Sequence, residues 1–129
     1  PFRFEPPTTE TWEKSGDVTD EGEYARFGRY SGGSQSLTYN KVAIPAGTLL
    51  SLDYKFNPYS GAVATTFTIY AGDQSLVSGT AAAWYKSPTY EGVEPIAITS
   101  STTSIRCHNS YGAGETGTDL YRVALSYRQ

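Results

Sequence analysis

Thiols and thioethers are almost missing from this chain: methionine is absent and cysteine occurs once, at Cys107, in 129 residues. A lone cysteine excludes an intrachain disulfide and a cysteine-based zinc site, and beside Ile105 it reads as a small core side chain. Histidine is equally scarce, with His108 the sole example. Because neighbouring residues of a strand face opposite sides, Cys107 and His108 do not form a thiolate–imidazole pair. There is no zinc-ligand spacing, phosphate-binding glycine loop or nucleophile elbow.

Charge of either sign is thin. Ten basic and 13 acidic side chains leave a net charge of −3, the wrong sign for tracking phosphates, so nucleic acid is excluded as a partner. No apolar run reaches the roughly 20 residues that cross a bilayer, and no basic amphipathic stretch would lie on one. The chain begins at Pro1 with no signal sequence, and reads as a mature protein or an excised module of something longer. Long helices are also absent, since Gly, Pro, Ser and Thr interrupt every window in which a 3.6-residue stripe could develop.

What remains is a pattern of strands. In TLLSLDYKF, Leu50, Leu52, Tyr54 and Phe56 alternate with Ser51, Asp53 and Lys55, the two-residue period of a strand with one covered face. DLYRVALSYRQ repeats it with Tyr121, Val123, Leu125 and Tyr127. Further strands are expected at 23–30, 36–44, 65–71, 95–99 and 104–109, and Phe4 begins an edge strand that Pro6 and Pro7 end. Turn residues at 31–33, 45–47, 57–58, 71–73 and 112–114 separate them at the spacing of an antiparallel sandwich. The expectation is an all-β, antiparallel, jelly-roll-like β-sandwich forming one domain over residues 1–129.

Acids at Glu21, Glu23, Asp53, Asp73, Glu91, Glu94, Glu115 and Asp119 could in principle pair for glycoside hydrolysis. Turn acids are ordinarily solvated, however, and a sandwich of this size rarely walls a deep cleft. The chain is therefore expected to be no enzyme, with a small hydrolase or lyase as the least favoured reading. Binding needs less machinery. Eleven tyrosines and two tryptophans supply rings whose negative faces suit the slightly positive C–H face of a pyranose. In AAAWYKSPTY, Trp84 follows three alanines that offer no periodic apolar partners, so it is expected outward while the adjacent Tyr85 packs inward. Trp12 is a second candidate ring, and Tyr85, Tyr90 and Tyr59 are candidate rim contacts to the ligand, with Tyr59, beside Asn57–Pro58, expected in a turn.

The stretch EGEYARFG, residues 21–28, resembles the opening motif of family 6 carbohydrate-binding modules, β-sandwich domains attached to polysaccharide-degrading enzymes. The resemblance implies an aromatic sandwich built from an early tyrosine and a later tryptophan, with an asparagine completing the polar contacts. Tyr24, Trp84 and Asn109 stand in that order here. It also implies a structural calcium held between an early Phe–Glu segment and an acid of the last strand, here Glu5 and Asp119. The reading that follows is a secreted, extracellular, monomeric, non-catalytic module. It would hold an attached glycoside hydrolase or multidomain protein on plant or microbial polysaccharide. The alternative is a phage-type or adhesin receptor-binding domain recognising a host glycan or protein.

Overall fold

A computed structural model describes residues 12–30, 32–84 and 88–128. They form ten strands: β1 Glu13–Ser15, β2 Val18–Asp20, β3 Ala25–Gly28, β4 Gln35–Tyr39, β5 Leu49–Tyr59, β6 Thr65–Ala71, β7 Gln74–Ala81, β8 Tyr90–Ala97, β9 Ile105–Asn109 and β10 Gly117–Ser126. Two five-stranded sheets face one another, ordered β1-β4-β9-β6-β7 and β2-β3-β10-β5-β8. Every pairing is antiparallel.

Alternation sets the core. Along β5 the residues Leu50, Leu52, Tyr54 and Phe56 are buried, while Ser51, Asp53, Lys55 and Asn57 face outward. Phe27 and Phe56 from one sheet meet Phe67 of the other at centroid distances of 5.1 and 4.8 Å, so aromatic rings bridge the layers. Cys107 is fully buried, and burial pushes its thiol up.

Three expectations change. A bulge shifts the β10–β5 register between Leu120↔Phe56 and Arg122↔Lys55, so Tyr121 leaves the buried row of Val123, Leu125 and Tyr127 and lies half-buried beside Arg122. Asn57 and Pro58 are not a turn, because β5 runs on to Tyr59. Past Phe56 the pairing with β8 has ended, which gives β5 the free edge where a proline is tolerated. Strand β7 carried no sequence signal because its inward positions include Gly79 and Ala81. A Cβ on Gly79 would meet the Tyr90 ring at 2.6 Å and Phe56 at 2.8 Å, so the stacked Phe56–Tyr90 pair already fills that space. The Phe4 strand lies outside the described residues.

Because the strands run antiparallel, their connections gather at two poles. One pole holds the described link residues 29–30, 32–34, 60–64, 82–84, 88–89 and 110–116; the other holds 40–48, 72–73 and 98–104.

Candidate functional site

The first pole concentrates backbone strain. The non-glycine residues with positive φ among the described residues are Arg29 at 82°, Trp84 at 62° and Glu115 at 73°, and all three sit there. Such dihedrals are unfavourable for any residue that carries a Cβ and persist only where surroundings over-determine them, as at binding sites.

Contacts join the three into one surface. Trp84 N–H donates to the Gly61 carbonyl at 2.7 Å, and the Ser60 hydroxyl donates to the Ala82 carbonyl. Gly61 N–H in turn donates to Thr116 Oγ1 at 3.0 Å, next to Glu115. Glu115 pairs with Arg29 at 3.1 Å and donates its N–H to the Arg29 carbonyl at 3.3 Å. The Arg29 guanidinium lies 5.5 Å from the Tyr30 ring and 5.9 Å from that of Tyr59. Strand order β3-β10-β5 thus lays Tyr30, Glu115 and Tyr59 in a row across about 10 Å, two strand spacings, and the Trp84 N–H bond to Gly61 brings Trp84 to the β5 end of that row. Trp84 is 78% exposed and Tyr30 65%.

Below the row, Tyr59 donates its hydroxyl to Asp119 Oδ1 at 3.2 Å. Burial pushes both groups up; for Asp119 the Tyr59 bond and the charges of Arg29 and Arg26 pull the other way. A carboxylate whose folded value exceeds its unfolded one binds more protons when folded, so its contribution to stability falls as pH rises through that interval. Asp119→Asn keeps an acceptor for Tyr59 and is expected to leave the melting temperature at pH 7 unchanged or raised. Melting curves with and without a chelator check this, and a chelator-sensitive loss on substitution would make Asp119 a cation ligand instead. Among the described residues no three His, Cys, Asp or Glu side chains converge, and Glu5, the other expected calcium ligand, lies outside them.

The other expected contacts separate. Trp12 is 6% exposed and packs on Tyr39 at 5.7 Å, so it belongs to the core and not to a surface. Asn109 is fully buried. Its Nδ2 donates to Gln35 Oε1 and the Tyr111 carbonyl at 2.8 and 2.9 Å, and its Oδ1 accepts from Thr65 and Thr118 at 2.7 and 2.9 Å. Every hydrogen-bonding position of its amide is used, leaving none for a ligand. Tyr24 sits at the far turn of β2–β3, against Tyr121 at 5.3 Å, away from Trp84. Tyr59 does join the row, from a strand end and not a turn. Tyr85 lies outside the described residues.

Arg29 and Tyr30 escaped the sequence reading because a strand was drawn through to Tyr30. The run Arg29-Tyr30 immediately before Ser31-Gly32-Gly33 was the signal, since the strand stops at Gly28, where φ is already +82°.

No family model and no curated protein sequence matches this chain. Solved structures do match. A CBM4 structure aligns over 92% of this chain and 96% of its own at 14% identity, with a TM-score of 0.57. The chain has the fold of a β-sandwich carbohydrate-binding module. That fold is shared more widely: the K3 cleaved adhesin domain of Lys-gingipain from Porphyromonas gingivalis aligns over 95% of this chain and 94% of its own length, at 10% identity and a TM-score of 0.59. The enzymatically active domain of bacteriophage CBA120 tailspike protein 4 matches 94% of this chain with 20% of its own, at 10% identity and a TM-score of 0.56. At these identities the likeness speaks for the fold, and the site must be argued from its own geometry.

Proposed function

We propose that the module binds polysaccharide at its first pole, without catalysis, through Trp84, Tyr30 and Tyr59. The observation that supports this most is the gathering of all three strained non-glycine residues around a row of exposed rings. Trp84 and Tyr30 offer faces for pyranose C–H groups. Arg29 and Glu115, more than a third exposed, supply a donor fork and an acceptor for hydroxyls between them. A row that spans two strand spacings, about 10 Å, and continues to Trp84 suits a short oligosaccharide segment more than a single ring. Secretion, and attachment to a glycoside hydrolase or other extracellular partner, follow from this reading as parts of the proposal.

Affinity electrophoresis through gels containing xylan, mannan, xyloglucan or a soluble cellulose derivative tests it. Retardation is expected in at least one gel, and Trp84→Ala should weaken it by about tenfold or more, the loss of one stacking ring of about 1.4 kcal/mol. Its melting temperature should change little, since Trp84 is 78% exposed. No retardation in any gel, or retardation that Trp84→Ala leaves intact, overturns the site. Release of reducing sugar would overturn the non-catalytic part. Running each gel with and without a chelator tests the expected calcium.

The likeness to an adhesin domain and a tailspike favours a second reading, a receptor-binding domain that uses the same row on a host glycan or protein. A closed trimer in solution would favour it, whereas a monomer fits the first reading.

A further inference from the structure

The opposite pole holds a cavity of about 400 Å³ between the β6–β7 hairpin and the link from β8 to β9. That link contains six consecutive hydroxyl residues, Thr99 to Ser104. Its frame is rigid. Gln74 accepts from the Thr99 N–H and hydroxyl at 2.9 and 3.1 Å and donates to the Ala97 carbonyl at 2.9 Å. Thr102 and Ile44 exchange backbone bonds of 2.9 and 3.0 Å, and Gly72 N–H donates to the Ser104 carbonyl at 2.9 Å. Gly72, at φ +57°, has no room for a side chain, because a Cβ would meet Thr102 Oγ1 at 2.8 Å.

The frame leaves the side chains of Ser100, Ser101, Thr103, Ser104 and Asp73 without a hydrogen-bond partner among the described residues. Four hydroxyls and one carboxylate therefore line a preformed cavity of small-molecule size with their hydrogen bonding unspent. Among the described residues Asp73 is the only charged side chain lining it, which disfavours anions, and no aromatic ring lines it, which disfavours stacking. We infer that this cavity is a second binding site, for a neutral polyhydroxylated ring such as a terminal sugar residue, recognised by hydrogen bonds alone.

The two poles lie at the ends of β5, whose eleven residues span about 35 Å. One short oligosaccharide does not reach both, so a module occupied at both poles joins two glycan chains and gains avidity from a matrix that presents many. The inference does not rest on the Trp84 row. The two sites differ in chemistry, one stacking rings and the other reading hydroxyls.

Amide-resolved NMR titration with glucose, galactose, mannose and xylose separately tests it in the wild type, Trp84→Ala and Ser101→Phe. At least one sugar is expected to shift the amides of Gly72, Ser100 and Ser101 saturably, equally in the wild type and Trp84→Ala. Ser101 is exposed, so Ser101→Phe should fold and, by filling the cavity, weaken those shifts at least about tenfold, or 1.4 kcal/mol. Should it not fold, the double variant Ser100→Ala/Ser101→Ala, which adds no bulk, should show the same loss. Shifts from none of the four sugars, shifts produced by calcium chloride alone, or shifts unchanged in the filled or hydroxyl-less variant each overturn the site. Loss of the Trp84 row with these shifts intact overturns the first proposal and leaves this one standing.

Discussion

Asn109→Leu is expected to lower the melting temperature by roughly 10–20 °C, a loss of about 3–5 kcal/mol in a domain whose total stability is about 5–15. The side chains are similar in size, so volume is not the cause. Leucine strands Gln35 Oε1 and the Tyr111 carbonyl and removes the acceptor of Thr65 and Thr118, around a fully buried centre. Each orphaned group costs about 1–3 kcal/mol, with incomplete additivity because they share one centre. Gln35 also holds the Gly33 and Gly112 carbonyls at 2.9 and 3.3 Å, so the network fixes two of the links that carry the Trp84 row. Polysaccharide retardation should therefore weaken together with stability. Asn109→Asp separates hydrogen bonding from shape. Its carboxylate faces two acceptors in place of donating to them, and its stability should recover on acidification, when the protonated group regains a donor. Thermal melts across pH check both variants, and a loss below about 2 °C for leucine would mean that water enters and replaces the network.

Phe56→Ala should cost about 3–5 kcal/mol, again roughly 10–20 °C. Phe56 is fully buried and contacts three rings, Phe67 at 4.8 Å, Tyr90 at 5.3 Å and Tyr54 at 5.9 Å. Relaxation into the void is obstructed on the Gly79 side, where the neighbouring strand has no side chain to swing inward. Substitution should also loosen β8, because Tyr90, whose hydroxyl donates to the Thr80 carbonyl at 3.1 Å, loses its stacking partner. Chemical denaturation with hydrogen exchange reads both effects. An unaltered midpoint would show that the sheets close over the gap. Fast exchange confined to β8 would place the loss there and not across the core.

Strand periodicity made the sandwich readable wherever a strand has one wet face and one dry one, as β5 does from Leu50 to Phe56. It failed at β7, whose dry face after Leu76 is glycine and alanine because rings from the other sheet occupy the space at Gly79. At Tyr121 a one-residue bulge, which no pattern in DLYRVALSYRQ announces, broke the period. The site was readable in part. Trp84 stood out because alanines and a Ser–Pro turn gave it no apolar neighbours, and it does stand 78% exposed. Trp12 looked equally isolated, yet it is covered by Tyr39 from the adjacent strand, a partner 27 residues away in sequence that local pattern cannot supply. Asn109 misled for a related reason. A buried amide is paired by residues as distant as Gln35 and Thr65, and such pairing is a property of the closed sandwich. Arg29 and Tyr30 reach the surface through a left-handed backbone step, which only the folded chain reveals.

Those left-handed steps at Arg29, Trp84 and Glu115 carry a consequence for how such a domain changes over generations. Glycine would relieve about 1 kcal/mol or more at each position, so selection for robustness alone would drift toward glycine and erase the rings and charges the pole presents. A lineage that keeps bulky side chains at these dihedrals is holding them against that drift.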